Sequence, residues 1–381
     1  MSEDCERWLP LLQPQMPSPQ DLMPLLERMY TSQHFSNFGP LARALEAQFA
    51  DNFGVPVHQI TTVSNATQGI ELVLQALGLP PQSRILLPAF SFVATATAVI
   101  RSGHIPVMAD VDAQSWLLTP EIAAQACVQT RIDAVLPVAT FGMPHAMQAW
   151  QAFEQQTGLP VVIDAAGAYG SQWLEGAQGT LIFSLHATKN LPAGEGGFVA
   201  SSRPGVAQKV RQLANFGINL DPASSVPVGS LAGIGSNAKM SEYHAAVALA
   251  SLSRWEAAAE RRRSLLAEYR QALDYASAGQ LRWQIPGVAG AIQAPTLLPV
   301  VLPNAASCYL LEKICKQQKI TTRRWYCPLL TEMQAIYTVG VCLPHPNAKV
   351  IAASLLGLPF FPNMSDIEVK KVVEAVRAAL N

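Results

Sequence analysis

The chain has 381 residues, of which half are apolar and 14% charged, with a formal net charge of -1. That balance gives no electrostatic attraction for nucleic acid or an anionic membrane, and it suits a soluble enzyme with a large core. No uncharged apolar run reaches the roughly 18 residues of a membrane span. The start, Met1-Ser-Glu-Asp-Cys-Glu-Arg7, is acidic where a signal peptide would be apolar, which predicts a cytoplasmic protein.

In chain order, Ser18-Pro-Gln-Asp21 reads as the cap of a helix running to Met29, and Pro40 to Asn52 as a second helix ended by Gly54. Strands and helices then alternate, the pattern of a mostly parallel sheet. The seven strands are expected at Thr61–Ser64, Arg84–Pro88, Pro106–Asp110, Asp133–Val138, Pro160–Asp164, Thr180–Leu185 and Gly197–Ser201. Helical periodicity fills Val93–Arg101 and His145–Thr157. Asn219 to Gly233 is a Gly/Pro/Ser loop, followed by one long helical pattern from Met240 to Leu273 whose Arg261-Arg-Arg263 cluster reads as a solvated face. A strand near Leu297–Leu302 and a closing helix from Ser365 belong to a smaller C-terminal unit. The expected division is 1–250 for an N-terminal arm and large domain, and 251–381 for the bridging helix and small domain. Cysteines 5, 127, 308, 315, 327 and 342 form no Cys-x-x-Cys pair and are expected to be reduced and mostly buried. The seven histidines offer no helical i, i+4 pair, so no metal site is expected.

Three strand ends carry the chemistry. Thr61-Thr-Val-Ser-Asn-Ala-Thr-Gln68 leads into an amphipathic helix whose unpaired N–H groups and dipole favour a phosphate, although the same residues would serve as a plain cap. Leu159-Pro-Val-Val-Ile-Asp164 stops an apolar strand on a carboxylate, which by itself reads first as a helix N-cap or turn residue and also as a partner for a cationic ring nitrogen. Thr180-Leu-Ile-Phe183 runs into Ser184-Leu-His-Ala-Thr-Lys-Asn-Leu-Pro-Ala-Gly-Glu-Gly-Gly197. An amine held there among apolar neighbours loses part of its preference for the charged form, which frees its lone pair for Schiff-base chemistry with an aldehyde. Together Lys189 and Asp164 point to pyridoxal 5'-phosphate. His186 is open to a substrate contact or to a structural hydrogen bond at the strand end.

These segments resemble the DegT/DnrJ/EryC1/StrS family of nucleotide-sugar aminotransferases. The resemblance runs from Asn37-Phe-Gly-Pro40 through Ser64-Asn-Ala-Thr-Gln68, Pro88-Ala-Phe-Ser-Phe92, the Asp164 and Lys189 motifs and Asn237-Ala-Lys-Met-Ser-Glu242 to Leu358-Pro-Phe-Phe-Pro362. It implies an α/β PLP-transferase of fold type I, with a mostly parallel seven-stranded sheet sandwiched by helices and a smaller α+β C-terminal domain. Lys189 would be the Schiff-base and proton-shuttling lysine, Asp164 would face the pyridine nitrogen, and Phe92 would stack on the ring. The phosphate would be held by Ala66, Thr67, Gln68 and Ser184, with Asn237 reaching in from the partner of a homodimer that shares its active sites. The implied reaction moves an amino group from glutamate, leaving 2-oxoglutarate, onto a nucleotide-linked keto-deoxysugar. The alternatives are a sugar dehydratase, in which His would replace the lysine, or a PLP-binding regulatory or partner subunit without turnover.

Four positions depart from the pattern. Gly167 stands where the family usually has Gln or His near the cofactor's phenolic oxygen. Thr140 replaces a His, the late Pro-Leu-His reads Pro328-Leu-Leu-Thr331, and Lys239 stands where Arg is common. Arg323, Arg324 and Tyr326 lie in a stretch that resembles the family's substrate-side strand, which implies that one of them is a candidate for the nucleotide's phosphates.

Overall fold

The computed structural model describes residues 8–288 and 294–380. Helix α1 (Pro19–Ser32) starts at the expected cap: the Ser18 hydroxyl accepts from the Asp21 N–H at 3.2 Å, and the Ser18 N–H donates to Asp21 Oδ2 at 2.9 Å. Helix α2 (Pro40–Phe53) ends at Gly54, whose φ of 62° is the left-handed turn that glycine adopts without penalty. Cys5 and the acidic start lie outside the described residues.

The sheet follows, with β1 (Ile60–Val63), β2 (Arg84–Pro88), β3 (Ile105–Ala109), β4 (Ala134–Val135), β5 (Ile163–Asp164), β6 (Thr180–Ser184) and β7 (Gly197–Ser201). All seven expected strands are present, β4 and β5 shorter than the sequence suggested. Parallel bridges Val135–Val161 and Val138–Asp164 join the two ladders into the order β1-β7-β6-β5-β4-β2-β3. Only β7 runs against its neighbours. The C-terminal ends of β1, β2, β4, β5 and β6 therefore share one edge, where open α/β sheets bind ligands. Helices α3 (Ala66–Ala76), α4 (Val93–Arg101), α5 (Pro120–Gln129), α6 (Met147–Thr157) and α7 (Val206–Ala214) cover the faces. The sheet is buried on both sides, which explains its continuous Val/Ile/Leu runs.

The pattern after Met240 is two helices, α8 (Glu242–Leu252) and α9 (Trp255–Ala276). The break at Ser253–Arg254 turns Trp255 inward against Tyr169, with ring centroids 4.9 Å apart. Helix α9 then spans two cores: Trp255 and Ala259 pack with the sheet, while Leu265, Tyr269 and Leu273 pack with the C-terminal layer. That layer contains β8 (Leu298–Val301), α10 (Ala305–Gln317), α11 (Gln334–Tyr337), β9 (Val341–Cys342), α12 (Pro346–Ser354), β10 (Leu355–Leu358) and α13 (Asp366–Leu380). Strands β8 and β10 pair antiparallel, whereas β9 adds an eighth strand to the large sheet beside β3. Leu329, Leu330 and Ile351 also enter the sheet's own core, so the two layers are packed together.

The cysteine expectation needs correction. Of the five described, all free, Cys308 and Cys315 are buried, Cys127 is half-buried, and Cys327 and Cys342 are exposed. Among the described residues no helix is long and apolar enough to cross a membrane, and no His/Cys/Asp/Glu group could hold a metal.

Candidate active site

At the shared edge the ends of β1, β5 and β6 open on a cavity of about 830 Å³, within the ~300–1,000 Å³ range of small-ligand sites. Its wall includes Ala66, Thr67, Gln68, Phe92, Asp164, Ser184 and Lys189. Of the expected site residues, only Asn237 is not part of it.

Asp164 is 4% exposed. Thr95 donates its hydroxyl to Oδ2 at 2.8 Å and the Ala166 N–H donates to Oδ1 at 3.1 Å. Thr95 is itself bonded to the Ser91 hydroxyl at 3.0 Å. Burial pushes the Asp164 carboxyl above its usual range, opposed by those two donors and by the Lys189 charge. Among the described residues it has no ion-pair partner within contact distance. A buried carboxylate so placed is completed by a cation entering the cavity. Ser91 and Thr95 are not among the expected site residues; Ser91 precedes the Phe92 cap of α4, so only the folded turn brings its hydroxyl to Thr95.

Lys189 is half-buried, and loss of solvation holds its amine below the ordinary lysine value, with the Asp164 charge opposing. Its loop is pinned by backbone bonds: Lys189 N–H to His186 O at 2.8 Å and Ala187 N–H to Gly194 O at 2.8 Å. The Asn190 side chain bonds Tyr169 O, and Arg262 donates to Asn190 O at 2.9 Å. Arg262 is thus a correction to the solvated Arg261–Arg263 face: it is 3% exposed, and burial lowers its pKa to about 10. Its spacing from Trp255 and Ala259 on α9 was the available signal, since it shares their inward stripe.

The phosphate-like end is the start of α3. Asn65 caps the Gln68 N–H at 2.9 Å, and the Ser64 hydroxyl bonds the Gln68 side chain. Among the described residues the N–H groups of Ala66 and Thr67 have no partner. Such donors at a helix start, aided by the dipole, form an anion site. The approach of β7 to this turn requires glycine: a Cβ at Gly197 would lie 2.8 Å from Ala66 N. Ser184 accepts from the His186 N–H at 3.3 Å, which leaves its own proton to donate. The Phe92 ring, 48% exposed, forms an apolar wall of the cavity.

A family model for the DegT/DnrJ/EryC1/StrS aminotransferases matches residues 19–377. The chain belongs to this family. Among solved structures it is similar to DesI, crystallised with its TDP-sugar product (30% identity, 98% of this chain and 94% of that one, TM-score 0.86). It is also similar to the aminotransferase TlmJ from Streptoalloteichus hindustanus (26% identity, 98% of each chain, TM-score 0.86). A candidate PLP-dependent aminotransferase from Bacillus cereus superposes with a TM-score of 0.87 at 25% identity, over 97% of this chain and 100% of that one. The fold is that of the PLP-dependent aminotransferases.

Within this DegT-family site the residues fit pyridoxal phosphate. Asp164 offers a buried anion for a protonated ring nitrogen, Lys189 an amine for the aldehyde, and the α3 start with Ser184 a set of donors for the phosphate. Two of the family departures lie away from the cavity. Thr140 is buried with its hydroxyl on Val138 O at 3.4 Å, and Leu330 is in the core, so neither side chain reaches the cavity. Arg323 lines the cavity, with its guanidinium 4.3 Å from the Trp325 ring centroid and no acidic partner among the described residues. Arg324 instead turns inward to Ala353 O at 2.8 Å and to Glu312. His186 lines the cavity, Nδ1 bonding Thr188 and Nε2 lying 3.7 Å from Glu195. Asn237 is exposed and does not line the cavity, its Oδ1 accepting from Lys239 Nζ at 2.6 Å.

Proposed function

We propose that this family member transfers an amino group from glutamate to the keto group of a nucleotide-diphosphate-linked deoxysugar, with pyridoxal phosphate as its cofactor. The observation that carries the reading is one cavity holding both a buried carboxylate, Asp164, with no ion-pair partner among the described residues, and a half-buried amine, Lys189, whose pKa burial depresses. When bound, the cofactor supplies an electron sink for the carbanion formed at the amino-bearing carbon.

Each residue has one task in this scheme. Lys189 Nζ, with its lone pair made available by burial, holds the cofactor and then moves a proton at the substrate carbon in both half-reactions. Asp164 keeps the ring nitrogen protonated, and Thr95 with the Ala166 N–H fixes the direction of its carboxylate. Phe92 covers one face of the ring and excludes water. Ala66, Thr67, Gln68 and Ser184 anchor the phosphate, so that each proton transfer occurs in fixed geometry. Arg323, at the outer rim, pairs with the nucleotide's diphosphate, a contact suited to guanidinium geometry. Retention of Lys189 favours this reaction over the dehydratase chemistry expected of a His at that position.

We further propose that the active form is a cytoplasmic homodimer in which Asn237 completes the partner's phosphate site, and that residues 1–250 and 251–381 act as two domains. The exposure of Asn237, which is not part of its own cavity wall, supports the first point, and the two cores spanned by α9 support the second. The reaction is tested by incubating the protein with glutamate and a panel of nucleotide-linked 3-keto and 4-keto sugars and reading product masses; absence of an amino sugar from every member would sink it. Shared sites are tested by mixing an inactive Lys189→Ala chain with an inactive Asn237→Asp chain. Activity should return in part, because the mixed dimer has one site free of both changes. No recovery would mean that Asn237 acts within its own chain.

A further inference from the structure

The loop that carries Lys189 borders a second cavity besides the one described above. It measures about 10 Å³, room for one water-sized species. Three segments far apart in the sequence close it: the stretch before α1, the Lys189 loop with Arg262 of α9, and the turn after β10. The first is held in place by main-chain bonds, Leu9 N–H to Lys319 O at 2.8 Å, Thr321 N–H to Leu9 O at 2.9 Å and Phe360 N–H to Leu11 O at 2.9 Å. These bring Gln13 and Gln15 onto the same wall as Lys189.

The chemistry of that wall is one-sided. It carries two basic side chains, Lys189 and Arg262, and the polar groups of Gln13, Gln15, Thr188 and Thr296, and among its described residues there is no Asp or Glu. Arg262 is 3% exposed, and among the described residues its guanidinium makes a single hydrogen bond, Nη1 to Asn190 O at 2.9 Å. A guanidinium has donors on every nitrogen. Nε and Nη2 are not among the fully buried atoms that lack a partner, so they border the cavity. With its pKa lowered to about 10, Arg262 is still charged at neutral pH. A buried cation with neither a carboxylate nor bulk water around it is costly, and an anion removes that cost.

We propose that this cavity binds one halide ion, chloride in ordinary buffers, with the free Arg262 N–H groups as its main donors and the hydroxyls and amides of the wall as the rest of its shell. A water molecule fits the same space but leaves the guanidinium charge uncompensated. The ion also acts on the neighbouring active site, because an anion beside Lys189 favours the protonated amine. The site is built from this chain's own residues and stands independently of the proposed reaction.

The test uses full-length protein as purified, exchanged into gluconate buffer and titrated with chloride at constant ionic strength. The chloride NMR line should gain a saturable excess width, and the thermal midpoint should climb with chloride, as for any ligand that binds only the folded state. Bromide soaked into crystals should give an anomalous peak within hydrogen-bond distance of the Arg262 guanidinium. Gln13→Glu, nearly unchanged in size, puts a carboxylate on the wall that takes over as counter-ion; both chloride effects should be lost there with the fold kept. Arg262→Gln removes the charge and should lose them too, and if that variant fails to fold, Gln13→Glu still decides. A wild type with neither the broadening nor the chloride-dependent midpoint holds water at this place, and the proposal fails. Chloride effects that survive in Gln13→Glu overturn it, as does a bromide peak found only elsewhere. Displacement of chloride by acetate as readily as by bromide would assign Arg262 to carboxylates and overturn it as well.

Discussion

The two ends of the cavity are built differently. Around Asp164 and Lys189 the groups are held by backbone or by short side chains: the Ala166 N–H, Thr95 backed by Ser91, and a Lys189 loop tied by main-chain bonds and by Arg262. Elsewhere on the cavity wall the groups are longer: an exposed Arg323 on the Trp325 ring, Arg101 paired to Glu71, and His186 with Nε2 3.7 Å from Glu195. Short, doubly bonded groups keep their positions when the cavity changes occupant, so the inner end suits chemistry that must be repeated in two half-reactions. Long side chains adapt at an entropic cost, and the outer end suits recognition of one substrate among many.

The contrast predicts a gradient of effects. Lys189→Ala strikes the inner end hardest and should slow turnover by about 10²–10⁴-fold or more, the range for a lost proton-transfer group, while cofactor binds without a covalent link. Borohydride reduction followed by peptide mapping checks this, and an adduct on another lysine would reassign the anchor. Asp164→Asn keeps the shape and loses the charge, so donor proton abstraction should fall by about 10²–10³-fold, with only modest cofactor loss; an unchanged single-turnover rate would show that another group faces the nitrogen. Thr95→Val leaves Asp164 charged but frees one oxygen. Removing one such hydrogen bond costs about 1–3 kcal/mol, so the glutamate half-reaction should slow by roughly tenfold. Arg323→Ala, at the outer end, should raise the nucleotide-sugar KM by about tenfold, as expected for a partly solvated charge pair, and leave the glutamate half-reaction alone. If Arg323→Ala instead impaired the glutamate step, the division into a chemical and a recognition end would fail.

Legibility in the sequence follows the same division. The strand-end motifs were readable because an apolar run stopped by a polar residue is a local pattern, and this placed Ser184, Lys189, Asp164 and the α3 turn on one cavity wall. Helix caps at Ser18 and Gly54 were readable for the same reason. Arg262 was not, since three adjacent arginines look alike until the turn at Ser253–Arg254 sets the phase of α9 and buries the middle one. Arg323 and Arg324 are neighbours of the same type, yet one faces the cavity and the other the carbonyl of Ala353.

By itself the sequence determined the alternation of strands and helices, the family and most of the residues found on the cavity wall, because these depend on local order and on residue type. The tertiary structure alone decided that Ser91 and Thr95 support Asp164, that α9 is separate from α8 and carries a buried arginine, and that Tyr326 stacks on Phe141. Those relations join segments far apart in the chain. Their partners are selected by strand order and by the packing of the C-terminal layer on the sheet, neither of which leaves a mark in any single stretch of residues.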